Sequence, residues 1–328
     1  MPLVAMLSVL SAAALLSACT PPPSDPGSPP TTLVPLPDPP GSFSVLTYNI
    51  AGLPQGISDS NPVANIPRIS PLLNAYDVVL TQEDFDWWVP AAGLLDFANY
   101  HTRLRSSVEH PWRTDRHPGP AAVGVNAGAR GLLVGDGIGI MAKYPLAGEK
   151  QHAWKGCFGG IIPDGGAADC LAMKGFRMVT MTLGDGREVD VYSLHGEAGG
   201  TPRDQRLQEL DFAELAEFIN ARGLDRAIVL GGDTNLHTDD VHPDGGGGAD
   251  TVIWQRFLEK TDTTDVCIEL TCSDLGSIDK IAYRSSSTVE LKAKTADFPL
   301  ERFQYNGKDL SDHPPFVATF DWDIPQQP

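Results

Sequence analysis

From residue 43 onward, short apolar runs closed off by Pro, Gly or Asn recur along the chain. They cover residues 43–49, 78–80, 137–141, 178–183, 189–194, 227–230, 278–283 and 316–320, and their length and composition predict strands. Two stretches between them carry helical spacing instead, residues 66–76 and 201–222. In the second, Leu207, Leu210, Ala213 or Glu214, and Phe218 recur every three to four residues. Thr201 with Asp204 forms a capping arrangement at its start, Pro202 sits in the first turn, and Gly223 stops it. Residues 42–323 contain no second linker and no internal repeat, so they are read as one domain of roughly 280 residues, with 324–328 as a tail. The glycine tract 245–248 is too short to divide domains and is read as a mobile loop.

Polar residues fall where the apolar runs end. Asn49 closes Leu-Thr-Tyr-Asn, Glu83 follows the second run in Thr-Gln-Glu-Asp, and His195 closes Val-Tyr-Ser-Leu-His. Asp233 and Asn235 follow Ile-Val-Leu-Gly-Gly, and Ser311-Asp312-His313 precedes the last run. One strand-end Asp or Asn is a common turn former. A set drawn from separate strands is different, because their ends can converge on one cleft. Carboxylates, carboxamides and imidazoles together are hard ligands and proton carriers, which suits a divalent cation and a phosphate ester.

These motifs also stand in a recognisable order: Tyr-Asn, Gln-Glu, Gly-Ile-Gly-Ile-Met-Ala-Lys-Tyr-Pro, the histidine strand, Gly-Asp-Thr-Asn, Ile-Asp-Lys-Ile and Ser-Asp-His. In that order the chain resembles the endonuclease/exonuclease/phosphatase superfamily, which includes DNase I-like nucleases, neutral sphingomyelinases and inositol polyphosphate 5-phosphatases. The resemblance runs from about Phe43 to Phe320. It implies an α/β four-layer sandwich, with two mainly antiparallel β-sheets packed face to face and helices outside. It further implies that Glu83 is the principal Mg2+ ligand, with Asn49 and Asp312 at or near the ion, and with Mn2+ or Ca2+ as other candidates. Asp233 would orient or deprotonate the attacking water, and Asn235 and His195 would hold phosphate oxygens. His313 would bind phosphate or act as the base, and Asp279 would accept its other ring N–H. Asp233 and His313 both remain open as the base.

Ahead of the domain, residues 1–18 are uncharged and include an apolar stretch from Val4 to Leu16, followed by Leu16-Ser17-Ala18-Cys19. This resembles a signal peptide ending in a bacterial lipobox, with Cys19 as the lipidated residue, although no Lys or Arg precedes the apolar stretch. A cleaved secretory signal with a free cysteine is the alternative. Residues 19–41 are proline-rich and read as an extended tether, which makes the expected product an exported, monomeric, cell-surface or periplasm-facing lipoprotein held at a membrane. The four remaining cysteines form two close pairs, Cys157 with Cys170 and Cys267 with Cys272. Local disulfides are expected, because neither pair has the spacing of a zinc knuckle.

Charge bears on the substrate. A net charge of −18 disfavours duplex nucleic acid, whose binders place many cations on the backbone. Residues 101–117 are a local exception, with Arg103, Arg105, Arg113 and Arg116 beside three histidines. They read either as a phosphate or anionic headgroup contact or as a solvated loop. Trp87 and Trp88 suit an interfacial contact or the cleft lining. The opening Leu-Thr-Tyr-Asn-Ile-Ala-Gly-Leu-Pro looks more like lipid-directed family members than DNA repair nucleases. The expected activity is therefore that of a phospholipase C or sphingomyelinase-like phosphodiesterase acting on a phospholipid headgroup. An extracellular nuclease, a phosphatase for soluble inositol phosphates and a non-catalytic surface binding lipoprotein are the alternatives. Two local features bear on specificity: Gly196-Glu197-Ala198-Gly199 after the histidine departs from the family pattern, and His237, Asp239, Asp240, His242 and Asp244 are read as a solvated acidic loop or a second ion site.

Overall fold

Alternate residues of the first strand, β1 (Gly41–Asn49), belong to two different cores. Phe43 and Val45 face one layer, whereas Leu46 and Tyr48 face another, as the period-2 geometry of a strand requires. The computed structural model describes residues 39–326 apart from 54, 56–57, 59, 86–98, 117–134, 161–164 and 240–246. The signal, lipobox and most of the tether, together with Trp87, Trp88, His117, Asp240, His242 and Asp244, lie outside the described residues.

Two six-stranded sheets make the body. The first contains β1, β2 (Val78–Gln82), β3 (Trp112–Arg113), β4 (Gly139–Ala142), β11 (Glu290–Asp297) and β14 (Phe316–Asp323), in the order β11-β14-β1-β2-β4-β3. The second contains β5 (Leu146–Ala153), β6 (Gly175–Thr182), β7 (Glu188–His195), β8 (Ala227–Asp233), β9 (Thr264–Asp265) and β10 (Asp279–Arg284), in the order β5-β6-β7-β8-β10-β9. The pairs β1–β2 and β7–β8 are parallel and the other pairings antiparallel, so the mainly antiparallel sandwich is as expected. A small hairpin of β12 (Gln304–Tyr305) and β13 (Lys308–Asp309) turns through Asn306-Gly307, both at positive φ.

Among the described residues five helices flank the sheets: α1 (Pro62–Leu72), α2 (Tyr100–Leu104), α3 (Pro202–Arg222), α4 (Ala249–Thr261) and α5 (Val266–Leu270). The central core joins Phe43, Val45, Val78, Leu80 and Ile140 of one sheet to Val179, Val191, Val229 and Ile281 of the other. Outside the second sheet, Met178, Tyr192 and Leu230 pack on Phe212, Leu215 and Ile219 of α3 and Trp254 and Phe257 of α4. Outside the first sheet, Leu46, Tyr48, Val79 and Met141 pack on Ile66 and Ile69 of α1. The result is the four-layer sandwich.

Several boundaries moved. The expected helix 66–76 starts at Pro62, where a proline fits the first turn, and gives way to a 3-10 turn at Leu73–Ala75. Thr201 and Asp204 form the reciprocal capping box that their spacing predicts. Helix α4 was hidden behind the glycine tract, although Ile253, Trp254 and Phe257 share one buried face. Both cysteine pairs are disulfides, with Cα atoms 5.2 Å apart for Cys157–Cys170 and 4.9 Å apart for Cys267–Cys272. Among the described residues no helix is long and apolar enough to cross a membrane.

Candidate active site

Strand register assembles the site. In the second sheet His195 lies opposite Asp233 across the parallel β7–β8 pair, and Asp279 lies opposite Asp233 across the antiparallel β8–β10 pair. Their side chains therefore stand side by side on one face. In the first sheet Asn49 and Gln82 are paired at the ends of parallel β1 and β2, which delivers Asn49 and the next residue, Glu83, to the same edge. Ser311 hydroxyl donates to the Asn49 carbonyl oxygen (2.6 Å), and His313 N–H donates back to that hydroxyl (3.2 Å), which fixes the loop before β14 across the end of β1.

Asp233 is the hub. Its Oδ2 accepts from Asn49 Nδ2 (3.0 Å) and faces His195 Nε2 (3.3 Å) and His313 Nε2 (3.7 Å), while Oδ1 accepts the Asn235 N–H (3.0 Å). Burial opposes its charge, but His313, His195 and Lys174 outweigh burial and hold the carboxyl well below its usual range. His313 Nδ1 pairs with Asp279 Oδ2 at 2.8 Å, the partnership expected from the sequence, and this leaves Nε2 as the nitrogen facing the cleft. Burial alone would lower the His313 pKa, yet the Asp279 and Asp233 carboxylates raise it to about 10. Desolvation pushes Asp279 up, so a proton stays within the Asp279–His313 pair.

Glu83 is half-buried, and its Oε1 accepts from the same Asn49 Nδ2 at 3.2 Å. Two carboxylates from different sheets thus converge on one neutral amide, and Asp279 Oδ1 is buried nearby without a hydrogen-bond partner among the described residues. Oxygen-rich, acidic and incompletely satisfied, this donor set fits a hard divalent cation. Asp233, Asp279 and His313 also place one ligand atom each within 4.8 Å of one another. The Asn49 carboxamide turns its NH2 inward, with Oδ1 accepting from Ala51 N–H (3.0 Å). Asn235 adopts a left-handed backbone (φ 53°), and its Nδ2 donates to the Gly196 carbonyl (3.1 Å). Asp312 is exposed and accepts from the adjacent Ser311 hydroxyl (3.4 Å), so the structure does not bring it against the others.

Three residues that sequence reading did not single out support the site. Buried Lys174 pairs with Asp169 and donates to the Gly196 carbonyl (3.3 Å), adding a positive charge behind Asp233. Buried Gln208 of α3 donates to the carbonyls of Glu197, Gly199 and Asn235 (3.0, 3.1 and 3.3 Å), tying the His195 loop to the Asn235 loop. Trp154 Nε1 donates to the His195 carbonyl at 2.7 Å. A buried charge or amide among apolar residues leaves no periodic signal in the sequence.

Glu197, in the segment that departs from the family pattern, turns inward and accepts the Phe158 N–H (2.5 Å). Burial and then the Asp169 charge push its pKa up to about 8 from an ordinary 4.5. As pH rises from 4.5 towards 8 the unfolded chain ionises first, so this group subtracts stability across that window. Glu197→Gln keeps an acceptor for Phe158 and should melt above the parent at pH 8 but level with it near pH 4.5; equal melting temperatures at both pH values would refute the assignment.

The basic segment is corrected. Arg105 Nη1 is paired with Asp84 Oδ2 (2.7 Å), Arg113 donates to the carbonyls of His110 and Val108 (2.8 and 2.6 Å), and Arg103 stacks over Tyr100. Arg105 and Arg113 have been taken up by local structure and do not form a phosphate surface. Of the acidic cluster, His237 N–H donates to Asp250 Oδ2 (3.0 Å), and Asp239 packs against Gly276.

A family model for the endonuclease/exonuclease/phosphatase family matches residues 46–313, a range that includes every residue of the site just described. The chain belongs to that family. A sphingomyelinase of Mycobacterium tuberculosis is 29% identical over 301 residues, covering 85% of this chain and 53% of that relative. The chain therefore spans about half the length of that relative. Among solved structures, a Staphylococcus aureus beta toxin variant with bound magnesium ions has a TM-score of 0.57 at 16% identity, covering 85% of this chain and 99% of the toxin. Sphingomyelinase C from Streptomyces griseocarneus has a TM-score of 0.55 at 16% identity, with the same coverage. These two structures establish the shared fold.

Proposed function

We propose that this family member is a Mg2+-dependent phosphodiesterase that hydrolyses sphingomyelin in the manner of a phospholipase C, releasing phosphocholine from ceramide. The observation that carries the reading is the convergence of Glu83, Asn49, Asp233, His195, Asp279 and His313 from both sheets at one edge of the sandwich. The similarity to a mycobacterial sphingomyelinase supports the lipid substrate. So does the net charge of −18, together with basic side chains spent on structure, because both weigh against a polyanionic nucleic acid.

Glu83 would be the principal cation ligand; Asn49 would join it by turning its carboxamide oxygen inward, and Asp312 by swinging in from its exposed position. When bound, the cation supplies charge neutralisation on the phosphate oxygens. Asn235 and His195 would hold the phosphoryl oxygens by hydrogen bonds that tighten as charge builds during in-line attack. Water is taken to attack phosphorus from the side opposite the ceramide oxygen, losing its proton to Asp233, or to His313 Nε2 once a bound cation offsets the carboxylates that otherwise keep the imidazole protonated. Asp279 holds His313 in the orientation that presents Nε2. His195 would protonate the departing ceramide oxygen. Delivery by a lipidated Cys19 and a proline-rich tether would keep the domain beside its bilayer substrate.

The test is hydrolysis of sphingomyelin and phosphatidylcholine vesicles beside plasmid DNA, with and without EDTA. Choline-phosphate release that EDTA abolishes and Mg2+ restores is expected, with Mn2+ and Ca2+ compared as substitutes. Plasmid nicking without lipid hydrolysis would replace the substrate, and no activity on any of them would favour a binding lipoprotein.

A further inference from the structure

Glu83 sits in the left-handed backbone region (φ 58°), which residues other than glycine rarely adopt. Two glycines accommodate this turn. A Cβ on Gly52 would fall 1.9 Å from the Glu83 carbonyl oxygen, and one on Gly137 would fall 3.2 Å from Glu83 Cα. The next residue, Asp84, is buried, and its N–H donates to the Gly137 carbonyl (3.0 Å). Its Oδ2 accepts from the Thr81 hydroxyl (3.0 Å) and from Arg105 Nη1 (2.7 Å), with His101 Nδ1 at 3.6 Å. Arg105 and His101 both come from the α2 region, and Arg105 Nη1 also donates to the His101 carbonyl (3.2 Å). The ion pair crosses Gly139, where a Cβ would lie 2.5 Å from Arg105 Nη2 and 2.8 Å from Asp84 Oδ2. This accounts for the second glycine of Gly-Ile-Gly-Ile-Met in a strand that otherwise favours bulk.

As a stability device the arrangement is poor. Asp84 Oδ1 and Arg105 Nε and Nη2 are buried without hydrogen-bond partners among the described residues. A buried ion pair left half-satisfied is worth less than well-packed apolar residues of similar volume. Its position beside Glu83 gives it a use.

We propose that Asp84, clamped by Arg105 and His101, is a positioning residue that holds Glu83 in its left-handed turn and so aims the Glu83 carboxylate at the cation. This rests on the reading of Glu83 as the principal ligand. The clamp touches neither substrate nor cation. It acts by fixing the peptide between residues 83 and 84 through Asp84 at one end and the Gly137 carbonyl at the other.

Calorimetric titration of MgCl2 into the substrate-free protein tests it, with circular dichroism and melting curves to score folding. Glu83→Gln should lose Mg2+ binding. Arg105→Met should weaken Mg2+ binding about 10–100-fold, the usual effect of losing a residue that orients a ligand. Arg105→Lys, which can still reach a single carboxylate oxygen, should recover most of that loss. Added to Glu83→Gln, Arg105→Met should change Mg2+ binding no further. If Arg105→Met fails to fold, the pair Asp84→Asn/Arg105→Met leaves no unpaired buried charge and should show the same weakening. Folded clamp variants that bind Mg2+ as the parent does, while Glu83→Gln does not, would overturn the clamp and leave the ligand reading intact. Parent-like Mg2+ binding by Glu83→Gln would overturn the ligand reading and the clamp with it.

Discussion

Asp233→Asn is expected to lower the kcat/KM of the proposed sphingomyelin hydrolysis by at least about 10²-fold, the usual cost of removing a group that acts on the developing charge. Asparagine keeps the volume and one acceptor, which can take the Asn235 N–H, while its NH2 then faces the Asn49 amide donor, so a modest fall in melting temperature accompanies the loss. The electrostatic effect is specific. His313 is held up by Asp279 and Asp233, so loss of the second carboxylate should lower the imidazole pKa, which NMR titration can follow. Activity within about threefold of the parent would remove Asp233 from the reaction altogether.

The largest stability effect is expected elsewhere, at Arg177. This side chain is fully buried, donates to both carboxylate oxygens of Asp136 (2.8 and 2.9 Å) and to Glu149 (3.0 Å), and also meets the Asp115 carbonyl. Arg177→Met strands Asp136 and Glu149 and should cost about 3–5 kcal/mol. For a domain this size that is a fall in melting temperature on the order of 10 °C by differential scanning calorimetry. Arg177→Lys should recover little of it, because an ammonium cannot bridge both oxygens of Asp136. A shift of less than about 2 °C in Arg177→Met would show that the network contributes nothing net.

Asp136 and Arg177 also show where sequence reading stopped. The strands were legible because they are short apolar runs buried along most of their length, and Asn49, Glu83, His195 and Asp233 stood out because each polar residue ends or follows such a run. Asp279 begins its strand and His313 lies just ahead of β14; antiparallel pairing brings them to the same edge, which only the topology reveals. Arg105 was misread because a guanidinium bound to Asp84, 21 residues earlier, looks in sequence like one facing solvent. Strand β5 was missed because it is a sheet edge with few buried residues, and α4 because polyglycine precedes it. Glu197 was noticed as a departure, but its burial depends on α3 and on the loop closed by Cys157–Cys170.

The in-register row His195–Asp233–Asp279 has a consequence for how such a protein can change. Side chains alternate between sheet faces, so inserting or deleting one residue within β7, β8 or β10 would send one member of the row to the opposite face. Chain length in these strands is therefore as tightly specified as residue identity. The loops that follow them are under no such constraint, and the glycine tract before α4 is one place where length can vary. Lineages descended from such a chain can thus gain and lose loop residues while the row itself is inherited whole.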